Sequence, residues 1–204
     1  MSDEHDHGEL GEIEARVLAL ESLLVEKGLL QSAEVDEFVY RYEHDIGPML
    51  GARVVARAWS DPAFRSRLLE NGTEAVRELG IEAPDLALVV AENRPGVHNL
   101  IVCTLCSCYP WFVLGLPPVW YKSAPYRSRA VIEPREVLKE FGLELEPGTE
   151  VRVWDSSADL RYMVLPERPP ETEGWSEADL AQIVTRDCMI GTARPRVPGA
   201  VHAG

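Results

Sequence analysis

The apolar positions of the chain follow two rhythms. From residue 10 to about residue 80 they recur every third or fourth position; from residue 86 onward, short aliphatic runs alternate with turn residues. Leu10, Ile13, Val17, Leu20 and Leu24 form one stripe, the spacing of an amphipathic helix, and Gly28 is its stop. Ser32 reads as the N-cap of a second helix, with Glu34 in its first turn and Val35, Phe38, Val39 and Tyr42 on its apolar face. Gly47-Pro48 breaks the pattern. Two helices with one-sided stripes need a surface to lie on. They are expected to form an arm that packs on another subunit, with ordinary core helices as the alternative. Helices continue to residue 80: Asp61-Pro62 reads as N-cap and first helical residue, and Thr73 as the cap of a short helix ending at Leu79-Gly80.

The second rhythm predicts strands. Leu86–Val90 reads as a buried strand, Glu92–Gly96 as a turn, and Asn99–Val102 as a second strand that runs straight into a cluster of cysteines. Gly115-Leu116-Pro117-Pro118 forbids regular structure. A helix over 134–141 is closed by Gly142; Val151–Trp154 and Arg161–Leu165 alternate as strands joined through Asp155–Asp159; Ser176 and Asp179 cap a helix running to Val184. The fold class is therefore α/β in the α+β sense. A tail and helical arm over residues 1–47 precede a mixed α/β domain over 48–204 that carries the cysteine loop.

Length and charge narrow the functions. A chain of 204 residues, 46% of them apolar, has enough to bury a core without cross-links. The net charge of −14 repels nucleic acid and anionic membranes, so neither is an expected partner. No apolar run approaches the ~18 residues that span a bilayer. The first nine residues are polar and acidic, read as a solvated tail and not a signal peptide; His5 and His7 lie within it. Three of the four cysteines lie within six residues, which is no disulfide framework. A reducing, cytoplasmic location is expected.

The segment Val102-Cys103-Thr104-Leu105-Cys106-Ser107-Cys108 is where chemistry concentrates. Thiolates are soft anionic donors that favour transition metals. If the backbone nitrogens of Ser107 and Cys108 also ligate, the Cys106–Cys108 stretch closes five- and six-membered chelate rings in one plane. Cys103 can then reach an axial position, and a sixth position stays open. Two deprotonated amides would favour a trivalent ion, cobalt(III) or iron(III), over zinc(II), which prefers a tetrahedron. Spacing alone leaves other readings open: half of a structural zinc site, a dithiol redox pair, or plain buried cysteines.

The loop with Tyr109-Pro110-Trp111 resembles the metal-binding motif of nitrile hydratase α subunits. The resemblance extends through Ile46-Gly47-Pro48, Gly51–Val55, Leu114–Pro118, Trp120–Ser123, Tyr126–Arg129, Val151–Asp155, Arg161–Pro166, Glu173–Ser176 and Ile190-Gly191, covering residues 13–198. It implies a lyase that hydrates nitriles to amides at a low-spin, non-corrin Co(III) centre. The ligands would be the sulfurs of Cys103, Cys106 and Cys108 and the main-chain nitrogens of Ser107 and Cys108. Cys106 would be a sulfinic acid and Cys108 a catalytic sulfenic acid. Thr104 is typical of the cobalt type; Fe(III) is the less favoured ion. The implied partners are a small nitrile substrate, a β subunit in an α2β2 assembly whose arginines hold the oxidised cysteines, and a metal-insertion activator protein. The metal subunit of thiocyanate hydrolase carries the same cluster and is the nearest rival. A non-catalytic zinc-binding interaction module is a rival of another class.

Residues around the loop carry further expectations. Tyr109 and Trp111 are candidates for an apolar substrate pocket, or simply for core packing. Phe112 departs from the family, where proline is common, and is expected to reshape the pocket wall. Asp159 stands where many relatives have glutamate and is a candidate for orienting water, or a loop carboxylate bonding locally. His98 and Cys188 are expected to be structural. Arg127 and Arg129 are expected to brace the cluster or an interface, with surface solvation as the alternative.

Overall fold

The structure, a computed structural model, describes residues 12–40 and 47–198. The polar tail expected over residues 1–9, with His5 and His7, lies outside the described residues, as do Leu10 and Tyr42 of the arm stripes. The chain divides into two compact units, residues 1–45 and 46–204.

The first unit holds helices α1 (Glu12–Glu26) and α2 (Ser32–Tyr40). Gly28, at φ +65°, turns the chain after α1, a conformation that side chains disfavour. The start of α2 is fixed one residue earlier than the sequence implies: the Glu34 carboxylate accepts the Gln31 N–H at 2.9 Å, so Ser32 is already helical. Val17, Leu18, Leu20 and Leu23 of α1 are all exposed in this chain.

The second unit begins with α3 (Pro48–Ser60), α4 (Pro62–Glu70) and α5 (Gly72–Glu78). Asp61 caps α4, accepting from the N–H groups of Ala63 and Phe64, with Pro62 as first helical residue. Thr73 does not cap α5; Asn71 does, accepting from Glu74 N–H. The Thr73 hydroxyl instead donates to the Leu86 carbonyl at 3.0 Å and accepts from Leu88 N–H at 2.8 Å. Two side-chain oxygens within three residues competed for the same orphan amides, and the freed hydroxyl ties helix to strand.

Four strands follow the expected runs: β1 (Ala87–Glu92), β2 (Val97–Val102), β3 (Glu150–Asp155) and β4 (Leu160–Leu165). Although β3 and β4 are joined by a short connection, they do not pair with each other. β1 pairs with β4 and β2 with β3, both parallel, with Val102 opposite Asp155 and Leu88 opposite Arg161. Helices complete the unit: α6 (Trp111–Leu114), α7 (Ala124–Ile132), α8 (Pro134–Glu140), α9 (Glu177–Gln182) and α10 (Arg186–Ile190). Ser176 caps α9 as expected, accepting from Asp179 N–H. Helices α7 and α10 carry too weak a stripe to be read from sequence.

Strand β2 is the axis of the core. Leu100, Ile101 and Val102 are fully buried, and the α7 residue Tyr126 donates to the Ile101 carbonyl at 2.6 Å. Two polar residues on β2 are satisfied internally. His98 lies between the Asn93 amide (3.3 Å) and the Gly191 carbonyl (2.7 Å); Asn99 binds Asn93, the Glu92 carbonyl and the Trp154 indole. Gly191 has φ +98°, and any Cβ there would run into the Asn99 carbonyl. The strand that delivers the cysteines is thus held by packing on its faces and by a buried polar network at its start.

Candidate metal centre

Cys103 follows β2 directly. The N–H of Ser156 donates to the Val102 carbonyl at 2.8 Å, which closes the end of the strand before the chain turns away. Cys103 is buried, Cys106 exposed and Cys108 half-buried. Their sulfurs converge: Cys103 to Cys106 is 3.4 Å, Cys106 to Cys108 is 3.2 Å, and all three lie within 4.8 Å of one another. Among the described residues this is the one cluster of three or more cysteine, histidine or carboxylate side chains spaced to hold a metal ion.

The main chain points the same way. Cys106 N–H donates to the Cys103 sulfur at 3.3 Å, and the Ser107 and Cys108 amides favour negative charge on Cys106. Hydrogen bonds from the Cys108 and Cys103 thiols, helped by those two amides, pull Cys106 down to about 7. Burial, with the shared proton left to it, pushes Cys108 up to about 12. Three soft sulfurs within 4.8 Å of one another suit a single transition-metal ion.

Three residues distant in sequence hold the loop in shape. Asp155, at the end of β3, accepts the Thr104 N–H at 2.9 Å and the Thr104 hydroxyl at 2.6 Å. Arg127 on α7 donates to the carbonyls of Leu105 (3.2 Å) and Cys106 (2.9 Å). The Tyr121 hydroxyl donates to the Cys108 carbonyl at 2.9 Å. Burial raises the Tyr121 phenol, which keeps it protonated and a donor. Sequence reasoning gave no role to Asp155 or Tyr121. The available signals were a carboxylate at a strand end and a tyrosine within the Trp120–Ser123 stretch that carries part of the family resemblance.

The other candidates are dispersed. Arg129 does not brace the loop; it pairs with Glu133 (2.5 Å) and Glu140 (2.6 Å). Tyr109 is buried, edge-on to Tyr121 at 5.0 Å between ring centroids, and burial raises its phenol. Trp111 is half-buried and meets Phe112 edge-on at 5.9 Å, while Phe112 lies wholly in the core. Asp159 is exposed, and only its carbonyl is engaged, by Ala87 N–H at 3.0 Å. His98 belongs to the buried network below the loop, and Cys188 is a buried core thiol bonded to Thr185 at 3.2 Å. A cleft of about 400 Å³ beside the loop is lined by Thr104, Ala124, Arg127, Ser128, Val131 and Ile132.

Fold and site together define an α/β protein that presents a thiol-rich metal loop from the carboxyl end of a buried parallel strand. Comparison with known proteins narrows the class. The family described as "Nitrile hydratase, alpha chain" matches residues 11–193. The cobalt-containing nitrile hydratase subunit alpha of Pseudonocardia thermophila is 56% identical over 184 residues, covering 88% of this chain and 89% of that one. A solved double mutant of the Fe-type nitrile hydratase from Comamonas testosteroni Ni1 superimposes with a TM-score of 0.86 at 46% identity, covering 94% of each chain. Thiocyanate hydrolase subunit gamma of Thiobacillus thioparus is 42% identical, over 96% of this chain and 85% of that one. The chain belongs to the nitrile hydratase alpha chain family.

Proposed function

We propose that the chain is the metal-bearing α subunit of a cobalt nitrile hydratase, an enzyme that adds water across R–C≡N to give R–CO–NH2. The carrying observation is the convergence of the Cys103, Cys106 and Cys108 sulfurs at the end of β2, all within 4.8 Å of one another. Cys103, Cys106 and Cys108 would hold the ion through sulfur, and Ser107 and Cys108 through backbone nitrogen. Thiolates would favour a transition metal over magnesium or calcium, and the charge of two deprotonated amides would favour trivalent Co(III) or Fe(III) over zinc(II). Thr104 and the greater identity to a relative named cobalt-containing support Co(III), with Fe(III) as the alternative. A trivalent ion held by these residues would supply Lewis acidity.

The chain's own residues set the geometry. Asp155 and Arg127 grip the two sides of the loop, and Tyr121 fixes the Cys108 carbonyl. Cys106 would carry two oxygens as a sulfinic acid and Cys108 one as a sulfenic acid, the latter a candidate source of the attacking oxygen. Tyr109 and Trp111 are the candidate walls for an apolar nitrile, with Phe112 packed behind Trp111. Asp159, exposed, is the candidate for orienting water.

The proposed partner is a β subunit, in an α2β2 assembly, with an activator protein delivering the metal. The large apolar side chains of Leu105, Val119 and Ile132, each at least 80% exposed, support a covering subunit around the loop. Among the described residues no helix is long and apolar enough to cross a membrane, and a cytoplasmic location is proposed from the free cysteines.

The test is elemental analysis of the co-expressed α/β complex, with acrylonitrile and thiocyanate assayed side by side. Cobalt near one per α chain and preferential amide formation are expected. Zinc without cobalt or iron overturns the reading in favour of a binding module. Preferential thiocyanate hydrolysis overturns it in favour of thiocyanate hydrolase.

A further inference from the structure

Three arginines at the start of β2 lack the partners that others have. Carboxylates outnumber basic side chains 34 to 20 in this chain, and Arg57, Arg65, Arg67, Arg77, Arg129 and Arg152 each meet one. Arg94, Arg168 and Arg194 meet none among the described residues, yet all three line one cavity of about 300 Å³. The cavity lies beside Val97 and His98, where β2 begins. Cys103 follows the other end of that strand, about 20 Å away at the rise of an extended chain.

Each arginine comes from a different piece of chain. Arg94 opens the turn Arg94-Pro95-Gly96-Val97, whose ends bond in both directions at 3.1 and 2.8 Å and whose Gly96 takes φ +78°. Arg168 is held in place by the Thr172 hydroxyl (3.0 Å), the Thr172 carbonyl (2.6 Å) and the Trp59 carbonyl (3.2 Å). A guanidinium has five N–H groups, so two remain to it. Arg194 follows α10, and its charge is felt by the His98 ring. His98 itself adds no charge, being satisfied as a neutral imidazole by Asn93 and the Gly191 carbonyl. The Glu150 carboxylate, within the field of Arg94, is occupied by Arg152 at 3.0 and 2.9 Å. Glu167 is the one carboxylate in the lining, and it is exposed. Three guanidiniums against one carboxylate leave a local charge of +2 in a chain whose net charge is −14. Pro166, Pro169, Pro170 and Pro195 give the cavity a stiff apolar wall.

We propose that this cavity binds a small phosphate monoester, with Arg94, Arg168 and Arg194 serving the phosphate and the proline wall its organic part. A phosphate dianion matches the local charge, and its three terminal oxygens can serve several guanidiniums at once. A carboxylate brings one charge and two oxygens, which leaves the site half neutralised. The site goes beyond the nitrile-hydrating reading and does not rest on it.

The test titrates the intact α/β complex with phenyl phosphate by isothermal titration calorimetry, at constant ionic strength and about pH 8, where the phosphate is a dianion. Wild type is compared with Arg94→Gln, Arg194→Gln and Arg196→Gln; the last removes an exposed charge outside the cavity. Saturable binding near one per α chain is expected. Arg94→Gln and Arg194→Gln are each expected to weaken it on the order of tenfold, the worth of one charge-assisted hydrogen bond. Arg196→Gln is expected to stay within about twofold of wild type, because solvent and salt screen a distant exposed charge. Benzoate, the same ring behind a single charge, is expected to bind at least about tenfold more weakly. No saturable binding in the wild type, or one affinity in all four proteins, overturns the site. Benzoate binding as tightly as phenyl phosphate overturns the phosphate assignment. Arg94 and Arg194 are exposed and unpaired, so both variants are expected to fold; should one fail to assemble, the other decides. A complex without cobalt that still binds phenyl phosphate through these arginines would sink the enzymatic reading and leave this site standing.

Discussion

Asp155 has both carboxylate oxygens taken by one residue, Thr104, through its N–H and its hydroxyl. The pair fixes the first turn of the loop, between the buried Cys103 and the exposed Cys106. Asp155→Asn keeps the shape but replaces one acceptor oxygen with a donor. Residues that orient metal ligands without touching the ion typically matter about 10–100-fold to affinity. Cobalt retention in the co-expressed complex, followed by elemental analysis after dialysis against a chelator, is expected to fall by at least about tenfold. Tyr121→Phe removes only a hydroxyl, leaving the Cys108 carbonyl short of one donor. A loss of about 1 kcal/mol in unfolding free energy is expected from urea titration, with cobalt still bound.

At the scale of elements, β1 and β2 depend on contacts outside their own ladders. Thr73 joins α5 to β1 by accepting from Leu88 N–H and donating to the Leu86 carbonyl. Thr73→Val leaves a buried N–H unpaired, so a destabilisation of about 1–3 kcal/mol is expected in denaturant unfolding. His98 performs the corresponding task for β2. With Nε2 donating to the Gly191 carbonyl and Nδ1 accepting from the Asn93 amide, the ring is satisfied as a neutral imidazole. Burial lowers its pKa, and the charge of Arg194 lowers it further, although the Gly191 carbonyl pulls the other way. The unfolded chain therefore takes up a proton that the folded chain refuses. The His98 contribution is complete above the ordinary imidazole value of 6.5 and is lost progressively as pH falls below it. Unfolding free energies measured from pH 8 down to pH 5 are expected to decline, with a shallower slope in His98→Gln. A slope that is the same in both proteins would remove His98 as the cause.

At the scale of the whole molecule, the metal loop lies on an exposed apolar surface and the arm exposes apolar residues of its own. Leu105 and Ile132 near the loop, and Val17 and Leu20 on α1, are all well over half exposed. A chain that leaves so much apolar surface uncovered is built to be part of an assembly. Expressed alone, it is expected to self-associate in size-exclusion chromatography and to show no nitrile turnover. Co-expression with its β partner is expected to restore both a defined mass and amide formation. A monodisperse lone chain with full turnover would contradict the assembly.

What the sequence determined by itself was local. Helix stops at Gly28 and Gly142, the Asp61-Pro62 and Ser176 caps, the four strands and the Cys103–Cys108 motif all depend on residues within a turn or two of each other. Short-range sterics and chelate-ring size act over that distance, so their signature survives in the linear pattern. Local rules single out Thr73 as the cap of α5, but Asn71 holds that place, because a strand elsewhere takes the Thr73 hydroxyl. Tertiary structure alone decided the pairing of β2 with β3 and β1 with β4, and with it the residues that surround the loop. Asp155 reaches Thr104 across 51 positions, Arg127 reaches Cys106 across 21, and Tyr121 reaches Cys108 across 13. Such meetings are set by which strands bury against which, a competition over the entire core that no window of sequence contains.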